Sequence, residues 1–260
     1  MKKCMVVLTV CLLAQATALA QGVDVLPRQI IDKPTGSILP SGSFDLGLRF
    51  FGDGGVIMGL NVGVSKRFMF GASYGGFNVL GDNEPNWNPA PAVLARYQII
   101  NENVVLPAIT LGFESQGFGT YADSTSRFQY KSPGFYAVAS KSYNLLERID
   151  FHGGINVSLE NNDGDSDPNL FLGMVLAVNP YLEFLTEYDL AFNDDKKEEQ
   201  AGATRTLGDG KGYMNAGLRL NLENVVYMEV FVKNLFDNQR QVERFTREIK
   251  ITYFQFIKIL

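Results

Sequence analysis

The stretch Arg148-Ile149-Asp150-Phe151-His152-Gly153-Gly154-Ile155-Asn156-Val157-Ser158-Leu159-Glu160 decides the class of fold. Ile149, Phe151, Ile155, Val157 and Leu159 alternate there with Arg148, Asp150, His152, Asn156 and Glu160. Successive side chains of a strand point to opposite faces, so the stretch reads as a strand with one apolar and one polar face. The pattern returns at 181–192, where Leu182, Phe184, Tyr188, Leu190 and Phe192 oppose Glu183, Glu187 and Asp189. It returns again at 212–222, where Met214, Ala216, Leu218, Leu220 and Leu222 oppose Asn215 and Arg219.

Working outward gives about twelve such segments, near 43–51, 55–65, 68–78, 91–100, 104–115, 134–143, 148–160, 170–178, 181–192, 212–222, 225–235 and 245–256. The 170–178 segment is apolar on both faces. Pro107 lies inside the fifth segment and cannot donate to a ladder, so it belongs near a turn or a bulge. Connections alternate in length. Short turns at 65–67, 101–103, 144–147, 179–180 and 223–224 interleave with long polar loops at 79–90, 116–133, 161–169, 193–211 and 236–244. Only 52–54 is short where a long loop is due. Outer-membrane barrels pair short periplasmic turns with long external loops. A lipocalin-type barrel or a β-sandwich would use about half as many strands and has no reason to keep one end short. The expected fold is therefore all-β, a transmembrane antiparallel up-and-down β-barrel of about twelve strands, with both termini periplasmic.

Lys2 and Lys3, the apolar run from Cys4 to Ala14, and Ala18-Leu19-Ala20 form a secretory signal cleaved before Gln21. The expected organisation is a signal peptide at 1–20, a periplasmic N-terminal segment at 21–42 and the barrel at 43–260. Both cysteines, Cys4 and Cys11, fall in the signal, so the barrel carries no disulfide or thiol chemistry. The 28 acidic residues outnumber the 23 basic ones, which argues against nucleic-acid binding.

With the apolar face on lipid, the opposite face lines the lumen. That face is expected to hold Asp45, Arg49, Arg96, Glu114, Lys141, Arg148, Asp150, His152, Glu183, Glu187, Asp189, Arg219, Glu229, Lys233, Glu248 and Lys250. Charge at the lipid-facing midplane of a barrel costs about 2–4 kcal/mol for Lys or Arg, so this placement is forced by the membrane whatever the function. One reading is a solute-selecting channel; the other is a closed structural barrel sealed by internal ion pairs. Strand pairing should set Glu183, Glu187 and Asp189 beside Arg219, and closure should bring Glu248 and Lys250 near Asp45 and Arg49.

Other sites are weaker. His152 would need a serine and an orienting group at the lipid-facing surface to act as the base of an outer-membrane lipid hydrolase; it faces inward, and Gly154 follows on its own face. Asp163, Asp165 and Asp167 alternate as calcium loops begin, without the later bidentate glutamate. Trp87, Phe118, Tyr121, Phe128 and Tyr130 read as an interfacial aromatic girdle rather than a sugar-stacking surface. No cofactor, catalytic residue or metal cluster is expected.

The stretches SYGGFNVLG (73–81), PAVLARYQII (91–100), LPAITLGFESQGFG (106–119), KSPGFYAVASKSY (131–143) and HGGINVSLE (152–160) resemble the YjbH-type barrel family, Gram-negative outer-membrane proteins associated with exopolysaccharide production. The likeness spans 36–253. It implies a non-enzymatic barrel in outer-membrane lipid, placed there by the barrel-insertion machinery, with polysaccharide-export components as partners. Larger members carry further regions that this chain has no room for. The terminal strand alternates, but Phe256-Ile257-Lys258-Ile259-Leu260 is an atypical insertion signal.

Overall fold

The structure is a computed structural model that describes residues 26–196, 206–239 and 245–257. The expected signal peptide at 1–20 and the first five residues of the expected N-terminal segment lie outside the described residues. The strands in chain order are β1 (Ser43–Phe51), β2 (Gly55–Gly63), β3 (Phe68–Phe77), β4 (Asn86–Trp87), β5 (Ala92–Ile100), β6 (Ala108–Glu114), β7 (Phe118–Ala122) and β8 (Arg127–Tyr130). They continue as β9 (Gly134–Tyr143), β10 (Arg148–Val157), β11 (Asn169–Asn179), β12 (Leu182–Asp189), β13 (Tyr213–Leu222), β14 (Val226–Lys233) and β15 (Thr246–Phe256).

Twelve of these form one closed antiparallel barrel. Each pairs with its neighbours in the order β1, β2, β3, β5, β6, β9, β10, β11, β12, β13, β14, β15, and β15 returns to β1. The closing ladder runs from Ser43 against Phe256 to Phe50 against Ile249. Because every edge is paired, the main-chain groups are satisfied within the wall, the condition for crossing hydrocarbon with strands. Leu46, Phe70, Leu111, Phe151, Leu172, Leu218 and Val230 stand exposed on the outer face. The twelve strands fall where alternation puts them, with ends moved by a few residues. The largest move is in the fifth segment, which begins only at Ala108: Pro107 closes the turn, and β5 bulges opposite between Gln98 and Ile100. The anomalously short 52–54 connection is a tight turn, with Asp53 and Gly54 both at positive φ, as a type I′ hairpin requires.

Three expectations are corrected. Residues 26–40, read as part of a periplasmic segment, are folded into the lumen, where Pro27, Ile30 to Gly36 and Leu39 are buried. The 116–133 loop contains the β7–β8 hairpin, which folds inward, so Phe118, Phe128 and Tyr130 are buried rather than part of a girdle. Trp87 does remain exposed, stacked on Tyr74 with ring centroids 5.8 Å apart. Lys141 lies outside the lumen: it faces outward on β9 opposite Phe151, because β9 points Tyr136, Val138, Ser140 and Ser142 inward and the smaller Ala137 and Ala139 outward.

Candidate functional site

The remaining lumen residues named from the sequence all point inward, and cross-strand pairing joins many of them into a charge ladder. Arg148 on β10 bonds Glu183 on β12 at 2.8 Å, and Glu183 bonds Arg219 on β13 at 2.9 Å. Arg219 then bonds Glu229 on β14 at 2.5 Å, which lies 3.5 Å from Lys250 on β15. Opposite charges placed directly across a ladder are favourable pairs. At the closure Arg49 on β1 pairs with Glu248, which also takes Lys233 at 3.1 Å. Of the expected junctions, Glu183 with Arg219 and Glu248 with Arg49 are formed. Glu187 and Asp189 stand opposite Asn215 and Tyr213 instead, and Asp45 pairs with Arg28 rather than with β15.

This wall grips the N-terminal segment. Residues 26–40 enter at the short-turn end, reverse at Ile30–Lys33 and return, with Gln29 bridged to Pro34 and Thr35 N–H donating to the Arg28 carbonyl at 3.0 Å. At the tip, the N–H groups of Ile31, Asp32 and Lys33 all donate to one carboxylate oxygen of Glu187, at 3.0, 2.9 and 2.7 Å. Successive N–H groups in a turn make an anion-binding concavity, and here the anion comes from the wall. The tip side chains reciprocate: Asp32 pairs with Arg49 and Lys233 at 2.6 and 2.7 Å, and Lys33 pairs with Asp189 at 2.6 Å. Lower down, Arg28 pairs with Asp45. Three wall arginines donate to hairpin carbonyls, Arg96 to Arg28 at 2.5 Å, Arg219 to Gln29 at 3.3 Å and Arg49 to Ile31 at 3.1 Å.

Apolar contacts complete the seat. Ile30 and Ile31 pack on Val175, Leu185 and Phe231, and Leu39 packs with Met69, Tyr227 and Phe254. Burying each isoleucine contributes about 1.5–3 kcal/mol. Gly36 is held at both main-chain atoms. Its N–H donates to Ser140 Oγ at 2.7 Å, and its carbonyl accepts from Thr110 Oγ1 at 2.7 Å and Gln98 Nε2 at 2.9 Å. A Cβ there would lie 2.9 Å from Ser140 Oγ and 3.0 Å from Ser140 Cβ. Gly36→Ala is therefore expected to cost about 1–3 kcal/mol by overpacking, measured as a lower thermal midpoint in detergent.

Ser140 answers the question left open by His152. It sits directly opposite His152 in the β9–β10 ladder, and the two share a hydrogen bond of 2.7 Å. The serine came from the neighbouring strand, which alternation along one strand could not reveal. Both groups face the lumen, and Ser140 Oγ is occupied by Gly36, so the pair acts as a clamp on the hairpin. The lipid-facing placement that a hydrolase of membrane lipid requires is not met by it.

The long-loop end is covered by the β7–β8 hairpin, with Phe118 and Tyr130 packed against Ile57, Ala191 and Tyr213. Arg49 lies 4.0 Å from the Phe118 ring centroid, and Lys233 lies 3.7 Å from that of Tyr130. Arg127, buried in this hairpin, bonds Asp163 at 2.6 Å and Asp194 at 2.5 Å. Lys131 also takes Asp163, at 2.8 Å; burial nevertheless pulls its ammonium below the ordinary lysine range. Asp165 accepts from the Asp195 and Lys196 N–H groups and faces the Lys196 ammonium, and Asp167 lies 3.7 Å from the same ammonium. The three aspartates are thus turned onto cations and main chain, and the described residues contain no group of three or more acidic, His or Cys side chains arranged to hold a metal. Arg127→Ala is expected to release this cover, read as faster proteolytic cleavage within 118–130 on an otherwise intact barrel.

Between the N-terminal hairpin and the β1–β5 wall remains a cavity of about 120 Å³. Gly47, Gly59, Ala72 and Ser73 leave the space, and Asp45, Arg49, Arg96, Glu114, Glu229 and Lys250 are among its polar lining.

No family model and no curated relative matches the chain. Among solved structures it is similar to a KdgM porin in complex with disordered oligogalacturonate, with a TM-score of 0.50 and 12% identity over 81% of this chain and 98% of that one. The barrel has a porin fold. Another KdgM porin structure gives a TM-score of 0.47 at 9% identity, covering 81% of this chain and 98% of that one. The NanC porin gives 0.42 at 10%, covering 82% and 98%. At such identities the likeness concerns the fold alone.

Proposed function

We propose that the protein is a non-enzymatic channel of the bacterial outer membrane for small polar solutes or carbohydrate, held shut here by its own N-terminal hairpin. The observation that carries this reading is how the lumen is filled. Among the described residues, side chains of the wall hold 26–40 in place, no main-chain ladder joins that segment to a strand, and a cavity whose lining includes charges of both signs lies beside it. A segment held this way can leave without opening the barrel, and its departure uncovers charges of both signs. The porin fold agrees with transport, and the KdgM porin of similar fold is found in complex with oligogalacturonate, a carbohydrate. The resemblance to YjbH-type barrels supports a finer version, in which the solute is a carbohydrate connected with exopolysaccharide production and export components are partners. Both termini then lie in the periplasm, with the long loops outside.

Swelling of proteoliposomes in sugars of graded size tests the reading. A chain lacking 26–40 is expected to admit small saccharides, and no swelling at any size would count against transport. A second reading, a closed structural barrel, is favoured by the buried ion pairs of Arg49, Asp32, Glu248 and Lys233. It predicts that lumen substitutions alter stability and leave permeability unchanged.

A further inference from the structure

The short-turn rim is chemically lopsided. The β2–β3 turn exposes Ser65, Lys66 and Arg67, and the β13–β14 turn carries Glu223 and Asn224. The β5–β6 and β9–β10 turns, adjacent because β6 pairs with β9, carry aliphatic side chains at their tips. Val104 is 96% exposed, Val105 81%, Leu145 57% and Leu146 69%. These residues continue the outer apolar face at Leu111, Tyr143 and Phe151, all exposed on the strands beside them.

The 103–106 turn also provides for its own main chain. Asn103 N–H donates to the Leu106 carbonyl at 3.0 Å, and Asn103 Oδ1 accepts from the N–H groups of Val105 and Leu106 at 2.9 and 2.8 Å. The outward-facing Lys141 donates to the carbonyls of Asn103 and Val104, the latter at 3.2 Å, and its charge lies 3.5 Å from Glu102. Glu102 in turn accepts from Ser142 N–H at 2.8 Å. A turn in water can leave such groups to the solvent, whereas a turn in an apolar medium must satisfy them internally. At the 103–106 turn, highly exposed aliphatic tips stand together with internally satisfied polar groups, as a turn set in an apolar medium requires.

We propose that these two turns form an apolar foot immersed in the bilayer leaflet at the short-turn end, with Lys141 as its snorkelling anchor. The occupant of the exposed surface is lipid, continuous with the lipid on the barrel wall. The proposal rests on the membrane reading and adds that the barrel sits deeper on its β5–β10 side than on the side carrying Lys66 and Glu223.

Trp87 is the single tryptophan of the chain, which makes the test direct. In a Trp87→Phe background, Val105→Trp, Leu146→Trp and, as a control on the barrel wall, Leu111→Trp are each reconstituted in vesicles containing brominated phosphatidylcholine. The probes at 105 and 146 are expected to emit at short wavelength, lose most of their emission to bromine, and resist iodide, as the control does. Quenching of the control with the turn probes quenched only by iodide would overturn the foot and leave the membrane reading standing. Turn probes reached by neither quencher would point to a second protein surface and overturn it too. A control untouched by bromine would refute the membrane reading itself.

Discussion

Glu187→Ala is expected to destabilise the protein by about 3–5 kcal/mol, the usual consequence of removing one side of a buried charged contact. One oxygen of this carboxylate accepts three main-chain N–H groups, and the other accepts from Asn215 at 2.9 Å. Alanine leaves four donors without their acceptor in a region where Ile31, Asp32, Lys33 and Asn215 are all buried. A buried donor left unsatisfied costs about 1–3 kcal/mol, and entry of water into the vacated space limits the total. Glu187→Gln keeps an acceptor oxygen in place and should lose far less. Thermal unfolding in detergent of the two variants checks this, together with trypsin cleavage after Arg28, which should appear in the alanine variant and be slow in the parent. Equal midpoints for the parent and the alanine variant would mean that Glu187 does not hold the hairpin tip.

The barrel was legible in the sequence because two unrelated constraints write to it. Lipid forces the apolar alternation, and the membrane's two sides separate short turns from long loops. The inward charges were legible for the same reason, since Arg219 or Glu229 has nowhere else to point. Lys141 was misplaced because β9 is weakly amphipathic: Tyr136 and Val138 face in while Ala137 and Ala139 face out, and the lysine reaches polar turn carbonyls without entering the lumen.

The hairpin was missed for a different reason. Residues 26–40 show no alternation, contain Pro27, Pro34 and Pro40, and take their shape from the wall. A signal was nonetheless present in the apolar character of both faces of β11. Phe171 and Val175 are fully buried inside the lumen, an unsuitable lining for a water-filled pore, and Val175 packs on Ile30 and Ile31. Gly173 belongs to the same signal, because a Cβ there would collide with Ile30. Apolar residues on an inward face call for an apolar plug, as Leu185 and Phe231 do from β12 and β14. The calcium-like aspartates were decided by neighbours that spacing cannot show, Arg127 and Lys131 more than thirty residues earlier for Asp163, and Lys196 about thirty residues later for Asp165 and Asp167.

The largest functional effect should follow removal of residues 26–40. The twelve-strand ladder closes from β15 to β1 without any contribution from this segment, so the wall can persist while Glu187, Asp32's partners Arg49 and Lys233, and the Gly36 clamp at Ser140 are freed into a water-filled lumen. The seat residues Val175, Leu185 and Phe231 become exposed, so a lower thermal midpoint should accompany the change. The β7–β8 hairpin, whose Phe118 packs beside Arg49, loses part of its support as well. The measurement that bears most directly on a polar barrel shut by a detachable hairpin is single-channel conductance in planar bilayers. The parent should be closed for most of the recording, with brief openings, and the chain lacking 26–40 should hold a steady, larger conductance. A deletion variant that inserts as a folded barrel yet stays as closed as the parent would contradict the account.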